Sequence, residues 1–432
     1  MVERLTEDGT STESVVLEHA GGKRKQWVRN LLLFLTVAGP GIITANVDND
    51  AGGITTYSVA GAHFGFRLLW SLVPITVALI VVQEMCARMG VVTGKGLSDL
   101  IRERFGVKIT FYLMVCLLMT NIGNAASNFA GVAASLGILG ITKYVTVPLS
   151  ALLIWIIIVK GTYQSVERIF LVACLFYIAY VISGFLAKPP WRVVGQAFLQ
   201  PEFSAGRDEV VMLIGLVGTT IAPWMQFYQQ AAVVEKGIAL DHYRYSRWDT
   251  VVGCAVVNLI AFFIIVACAA TLFQAGVRIE TAQDAALSLR PLAGPYCSLL
   301  FAFGLLNASL FAASILPLST AYTICESMGW EAGVDKRFFE APQFYGLYSF
   351  VILVGVGIVL LPGIPLIPIM LFSQVVNGLL LPFVLICMLI LINDHKLMGA
   401  YVNRGIFNVI VWATVVVMIV LTVMMVVTSI WG

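Results

Sequence analysis

The hydrophobic residues of this chain fall into long runs separated by short polar stretches. A helix needs about 20 apolar residues to cross the hydrocarbon core of a bilayer. The strands of a membrane barrel instead show alternation over about ten residues, and these runs do not alternate. The pattern therefore predicts an all-α polytopic membrane protein with eleven transmembrane helices, at about 29–62, 66–90, 109–139, 145–160, 167–187, 209–234, 250–275, 294–326, 343–362, 365–392 and 405–431.

Two of these spans, the first and the sixth, are interrupted by helix-breaking residues. The first contains Asp50-Ala51-Gly52-Gly53, and the sixth contains Gly218, Thr219, Thr220 and Pro223. Proline lacks a backbone donor and clashes with the preceding turn. Paired breaks five helices apart are typical of inverted-repeat transporters, whose substrate site lies between the breaks near the midplane. We therefore predict a LeuT-like inverted repeat, with repeats at about 29–187 and 209–392 and an extra helix at about 405–431.

Composition agrees with a membrane protein. Charged residues make up 12% of the chain, against about 25% in soluble domains. No basic tract favours nucleic acid, and the eight scattered cysteines are interpreted as small core residues. Residues 1–26 are predicted to be a disordered cytoplasmic tail, and residues 27–432 to be the transmembrane transporter domain.

Lysine and arginine predict the orientation, because they concentrate in cytoplasmic loops. With the N-terminus inside, eighteen of them lie on the inner side and seven on the outer side, with Arg4 in the tail. Eleven spans would then leave the C-terminus outside. The expected location is the cell membrane.

The first interrupted span contains two aspartates, Asp48 and Asp50, beside Asn46 and Asn49. A charge at mid-bilayer costs about 2.5–3.5 kcal/mol on insertion scales, so such residues usually face a polar cavity and have a function. A broken helix also presents free carbonyls at the negative end of its dipole. Together these features predict a cation site.

Three segments resemble the NRAMP family of divalent-metal transporters. GPGIITANVDNDAGGITTYSVAGAHFGFRLLW (Gly39–Trp70) is similar to that family's first helix, and QEMCARMGVVTGKGLSDLIRERFG (Gln83–Gly106) to its next loop. SQVVNGLLLPF (Ser373–Phe383) is similar to the tenth-helix metal-site segment. The resemblance implies a metal site whose ligands or lining residues are Asp50, Gly53, Thr219, Ala222, Gln374 and Asp48.

Where this sequence departs from the family pattern, it resembles the NRAMP-related magnesium transporter branch. Gly53 stands where the family has Asn, and Ala222 stands where it has Met. A thioether favours softer metals, so its replacement favours hard ions. Mg²⁺ usually keeps several waters, and the smaller side chains would leave room for a partly hydrated ion.

Proton coupling is not expected. The family's third helix carries acidic residues, whereas residues 110–140 here contain none and offer Asn121, Asn124, Ser127 and Asn128. The histidines fall in the tail, in loops or at helix ends. They are His19, His63, His242 and His395.

Several of these residues also have an ordinary structural explanation. Asp50 could cap the second half-helix, and Gln374 could form an interhelical hydrogen bond. Asp48, Asn46 and Asn49 are expected behind the direct ligands. Asn377 could line the cavity, Trp224 could pack or gate, and Met225 could supply a sulfur. Glu84 and Arg88, four residues apart, are interpreted as a structural ion pair.

The function predicted is import of Mg²⁺, and also Mn²⁺, by alternating access without proton coupling. One alternative is a proton-coupled Mn²⁺/Fe²⁺ importer, and the other is a cation-coupled amine or amino-acid transporter of the same fold. We expect no cofactor beyond the transported ion, a monomer in the lipid bilayer, and no enzymatic activity, because no catalytic motif is placed at the membrane surface.

Overall fold

A computed structural model describes Gly41, Thr44 and residues 47–160, 177–204, 206–334 and 336–431. The described residues are helical, with connecting turns and no strand. The predicted spans at 29–62 and 167–187 lie partly outside them, as does Asn46. The helices are α1 Ala51–Phe64, α2 Leu72–Thr93, α3 Leu97–Ile138, α4 Lys143–Lys160, α5 Ile178–Leu186, α6 Trp191–Leu199, α7 Arg207–Thr220, α8 Pro223–Glu235, α9 Tyr243–Cys268, α10 Ala282–Ala286, α11 Arg290–Ala293, α12 Cys297–Met328, α13 Pro342–Leu360, α14 Leu366–Ile392, α15 His395–Met398 and α16 Gly405–Trp431.

Eight helical stretches of the described residues are long and apolar enough to cross a membrane, and Lys143–Val159 is a shorter apolar helix. They match the predicted spans outside the two incomplete ones, so the count of eleven stays a prediction. Two features were not predicted. The short α6 precedes α7, and α10 and α11 precede α12.

The third helix is longer than its predicted span because a connecting segment joins it. Within α3, Gly106 has a φ of +80° and a ψ of 168°. That left-handed φ suits glycine, which has no Cβ to clash. Residues 97–105 form a short separate helical segment, and the residues after Gly106 form the long apolar helix that crosses the core.

The core lies where α1, α3, α7, α12 and α14 pack together. α1 is buried over nearly its whole length, from Ala51 to Ala62. α16, in contrast, exposes many large apolar side chains, including Trp412 and Val416. A helix that is apolar all round is a membrane span or the core of a large protein. The buried α1 and the apolar outer surface fit a membrane-embedded bundle.

Candidate metal centre

The candidate centre begins where α1 starts. Asp50 is the N-cap of α1, with φ −71° and ψ −174°, and its Oδ1 accepts a hydrogen bond from the Gly53 backbone N–H at 2.7 Å. Asp48, Asn49 and Asp50 lie outside the helix. The capping explanation therefore holds geometrically. The other carboxylate oxygen, Oδ2, takes no part in the cap and accepts from Asn128 Nδ2 at 3.0 Å.

Two glycines allow the backbone of α1 to come close to its neighbours. A Cβ at Gly52 would clash with the Gln374 amide nitrogen and lie 3.0 Å from Ser127 Oγ. A Cβ at Gly53 would clash with the Asp48 carbonyl oxygen and lie 3.3 Å from Thr219 Oγ1. The structure thus brings Gln374 and Thr219 to the first turn of α1, beside Asp50.

The space expected at Gly53 is not present. The sequence hypothesis assigned the missing side chain to room for hydration water. In the structure the Asp48 carbonyl occupies that position, so Gly53 serves a close backbone approach. Of the two small residues, Gly53 and Ala222, only Ala222 can therefore leave extra room for hydration water in the site.

The second break lies between α7 and α8. α7 ends at Thr220, Ile221 has φ −123° and ψ 53°, and α8 begins at Pro223. Proline suits a first helical position because its missing N–H has no intrahelical acceptor there. Ala222, the N-cap residue of α8, is buried.

Gly218 determines how close α7 comes to α14. A Cβ at Gly218 would clash with the Gln374 carbonyl oxygen and with the backbone nitrogen of Gly378. The backbone of Gln374 therefore packs against α7, while its side chain packs against α1. Gln374 thus lies between the two broken segments.

Asp48 is buried, 3% exposed. Neither of its carboxylate oxygens has a well-formed hydrogen bond among the described residues. The nearby hydroxyl of Tyr57 is shared between Asp48 and Thr220, whose Oγ1 it meets at 2.8 Å. A buried carboxylate with so few donors is costly, which favours a cation nearby.

Asn128 of α3 is a contact that the sequence did not assign to the site. Its Nδ2 donates to Asp50 Oδ2 at 3.0 Å, and its Oδ1 accepts from the Ala51 backbone N–H at 3.2 Å. The only signal in the sequence was that asparagines stand where the resembled family has acids. Asn377 bonds to Gln374 Oε1 at 3.0 Å, so it supports that side chain.

The remaining candidates are packed elsewhere. Asn49 is buried, and its carbonyl accepts from the Tyr177 hydroxyl at 2.9 Å. Trp224 packs near Tyr228, with ring centroids 6.3 Å apart, and its carbonyl accepts from Ser319 Oγ. Met225 is fully buried. The positions of Trp224 and Met225 fit packing, whereas the buried side-chain amide of Asn49 has no hydrogen-bond partner among the described residues.

The Glu84–Arg88 ion pair is present, with Arg88 Nη2 3.1 Å from Glu84 Oε2 and both side chains buried. Arg88 also donates to the carbonyls of Tyr401 and Val402, and Tyr243 donates to Glu84. The pair therefore joins α2 to the segment before α16. This confirms its structural interpretation.

No group of three or more His, Cys, Asp or Glu residues that could hold a metal occurs in the part of the chain that the structure describes. The centre instead combines single carboxylates with amide, hydroxyl and carbonyl oxygens. Oxygen ligands of this kind suit hard divalent cations.

The model of the natural resistance-associated macrophage protein-like family, Nramp, matches residues 41–428. This chain belongs to the Nramp family. Membership agrees with the expectation that the protein is not an enzyme.

Individual relatives are similar over most of their length. The divalent metal cation transporter MntH of Deinococcus radiodurans is 26% identical over 408 residues, covering 91% of this chain and 89% of that protein. The Eremococcus coleocola manganese transporter has a similar fold, with a TM-score of 0.77 at 19% identity over 93% of this chain and 87% of that one.

A more distant neighbour identifies the wider architecture. MhsT in complex with L-phenylalanine has a TM-score of 0.60 at 13% identity, covering 90% of this chain and 98% of that chain. The fold is therefore that of an all-helical, multi-pass membrane protein with LeuT-like neighbours.

Proposed function

We propose that this protein carries divalent metal cations across a membrane, and that the cation binds between the two helix breaks. The observation that carries the proposal is Asp50, a buried carboxylate at the start of α1 that lies beside Thr219 and Gln374. The names of Nramp relatives that transport divalent metals support it.

The roles proposed for the individual residues follow from their positions. Asp50 and Gln374 bind the ion through oxygen. Thr219 of α7 and Gly53 of α1 line the ion site, and Ala222 leaves space at the start of α8. Asp48 lies behind these ligands and adds negative charge, which favours a divalent over a monovalent cation.

For the metal itself, Mg²⁺, with Mn²⁺ also accepted, is the ion that the side chains favour. Ala222 supplies no thioether, and Mg²⁺ binds through few carboxylates with retained waters. Transport without proton coupling is favoured because residues 110–138 of α3 contain no acid. It is also favoured because the described histidines, His63, His242 and His395, lie at or near helix ends.

The alternative is a proton-coupled manganese importer, and the relatives favour it. The Eremococcus coleocola structure is named as a manganese transporter. Mn²⁺ also accepts carboxylate, carbonyl and water ligands, so the oxygen-lined centre is compatible with it.

The proposed architecture is eleven helices in two inverted repeats, with both breaks near the midplane. The N-terminus is cytoplasmic, the C-terminus outside, and the working unit a monomer. The break at Asp48–Asp50 and that at Ile221–Ala222 support the pairing of α1 with α7 and α8.

The proposal is tested by uptake into liposomes that contain the purified protein. We expect Mn²⁺ and Mg²⁺ to enter with the wild type and not with Asp50→Asn, which keeps an acceptor for the Gly53 N–H but loses the charge. Asp241→Ala, at an exposed carboxylate, is the matched control. Absence of uptake of any divalent cation by folded wild-type protein contradicts the proposal.

A further inference from the structure

Three asparagines of α3 lie on one face of that helix and are buried. They are Asn121, Asn124 and Asn128, spaced three and four residues apart, which puts them on one stripe. Burying an amide is costly unless it is hydrogen-bonded. The partners of these amides therefore indicate what the stripe does.

Asn128 clamps the start of α1 from the side. One amide group donates from Nδ2 to Asp50 Oδ2 at 3.0 Å and accepts at Oδ1 from the Ala51 N–H at 3.2 Å. Asp50 Oδ1 is meanwhile held by the Gly53 N–H at 2.7 Å. Both oxygens of Asp50 are thus held by donors on different elements, which prevents the carboxylate from rotating freely.

Asn124 continues the connection to the other proposed ligand. Its side chain forms a reciprocal pair with Asn377, at 2.9 and 3.0 Å. Asn377 Nδ2 also donates to Gln374 Oε1 at 3.0 Å. Asn128 in turn donates to the Asn124 carbonyl at 3.0 Å. We name this set, Asn128, Asn124 and Asn377, the amide bridge.

We propose that the amide bridge positions the two cation ligands, and that Asn128 selects the way in which Asp50 meets the ion. This inference rests on the proposed function. Because Gly53 holds Oδ1 and Asn128 holds Oδ2, the Asp50 carboxylate cannot turn to place both oxygens evenly on an ion, and it binds the ion through one oxygen. Asn128 is a positioning residue, because it acts through Asp50.

The mode of binding has a consequence for selectivity. Mg²⁺ requires near-octahedral geometry and is satisfied by single carboxylate oxygens and waters, whereas Ca²⁺ takes more ligands and often binds a carboxylate through both oxygens. A fixed, one-oxygen Asp50 therefore disfavours Ca²⁺. Removing Asn128 frees Oδ2 while the Gly53 N–H still holds Oδ1, so the carboxylate can rotate about that bond and bring both oxygens to the ion.

Asn121 provides a matched control on the same stripe. It is equally buried, but its Nδ2 donates to Thr320 Oγ1 at 2.9 Å, on α12. It bonds neither to Asp50 nor to Gln374. Replacing it removes a buried amide of the same size without releasing either ligand.

The test measures Mn²⁺ uptake into liposomes and its inhibition by Ca²⁺ for the wild type, Asn128→Ala, Asn128→Leu and Asn121→Ala. Loss of a partner that orients a metal ligand typically costs 10–100-fold. We expect the KM for Mn²⁺ to rise about tenfold in both Asn128 variants, with a smaller effect on maximal rate. We also expect the ratio of the Ca²⁺ inhibition constant to the Mn²⁺ KM, called the Ca²⁺:Mn²⁺ ratio, to fall in both Asn128 variants. Asn121→Ala should keep the wild-type ratio.

The outcomes separate the two proposals. If the wild type carries no divalent cation, the proposed function fails. If the wild type transports and the Asn128 variants keep its Ca²⁺:Mn²⁺ ratio, the role proposed for the amide bridge is wrong. The same conclusion follows if Asn121→Ala shifts the ratio as much as the Asn128 variants do. If Asn128→Ala and Asn128→Leu do not fold, Asn128→Ser decides, because it keeps a polar group in the core but lacks the amide that donates to Asp50 Oδ2. A ratio shifted in the same direction supports the bridge, and an unchanged ratio overturns it.

Discussion

Single residues at the start of α1 determine how closely the candidate ligands approach one another. Gly52 and Gly53 have no Cβ, and the Gln374 amide and the Asp48 carbonyl occupy the positions where one would lie. The two glycines are thus as important to the centre as the side chains that would bind the ion.

Gly52→Ala should weaken metal uptake without unfolding the protein. The added Cβ meets the far end of the flexible Gln374 side chain, which can move, and alanine is the better helix former by about 1 kcal/mol. Gln374 would then be displaced from the site. We expect a higher KM for Mn²⁺ in liposome uptake. Gly123→Ala, whose Cβ would lie 3.8 Å from Ser373, is the control, and an equal effect of both would contradict this role.

Ala222→Met should shift preference from Mg²⁺ toward softer ions such as Cd²⁺. A thioether favours softer metals, and its bulk displaces water. Restoring the family's Asn at position 53 in the same variant is unsuitable, because its Cβ would clash with the Asp48 backbone carbonyl. Competition of Cd²⁺ with Mg²⁺ in uptake measures the shift. An unchanged preference would mean that selectivity is determined elsewhere.

The sequence predicted the chemistry of single residues better than their contacts. Asp50 and Gln374 were predicted as site residues, and the structure places them near each other. Asn128 was not, because its contact with Asp50 spans 78 residues of sequence and depends on the rotation of α3 about its axis. Hydrophobic patterning could not determine that rotation, since α3 is apolar on most faces. The Asp48 carbonyl beneath Gly53 is likewise a result of packing.

At the scale of elements, α2 is tied to the segment before α16 through Arg88. Glu84 and Arg88 are 4% and 8% exposed, and Arg88 also reaches two backbone carbonyls. Breaking a buried pair leaves an uncompensated charge, whereas an exposed pair contributes little.

Arg88→Met should therefore destabilise the protein by about 3–5 kcal/mol. Lys95→Met removes the ion pair between Lys95 and Glu103, whose two side chains are 47% and 54% exposed. This change should lower the free energy of unfolding by about 1 kcal/mol or less. Thermal unfolding in detergent compares the two variants. Equal melting temperatures would show that the buried pair is not structural.

Helix ends were predictable where glycine and proline mark them, as at Asp50–Gly53 and Pro223. The short α6, α10 and α11 were not predicted. α6 has nine residues, of which only Val194 is buried, and a segment that short is not found by a search for apolar runs long enough to cross a bilayer. α10 depends on a local capping box formed by Thr281 and Asp284.

At the scale of the whole molecule, the proposed transport moves the ion without a proton. The carboxylates at the candidate centre are Asp48 and Asp50, and residues 110–138 of α3 contain the amides of Asn121, Asn124 and Asn128 but no acid.

Mg²⁺ or Mn²⁺ entry should therefore leave the internal pH of liposomes unchanged, and an imposed pH gradient should not drive accumulation. A pH-sensitive dye read together with metal uptake measures both. Acidification in proportion to uptake, after correction for leak, would favour the proton-coupled manganese importer.

The proposed function requires a divalent cation to bind at Asp50, between the break before α1 and the break between α7 and α8. The most direct measurement is a crystal structure of the protein with Mn²⁺, with the metal located by its anomalous scattering. We predict one peak within bonding distance of an Asp50 carboxylate oxygen and next to Gln374, absent in Asp50→Asn. A peak elsewhere, or none at a Mn²⁺ concentration that supports uptake, would contradict the claim.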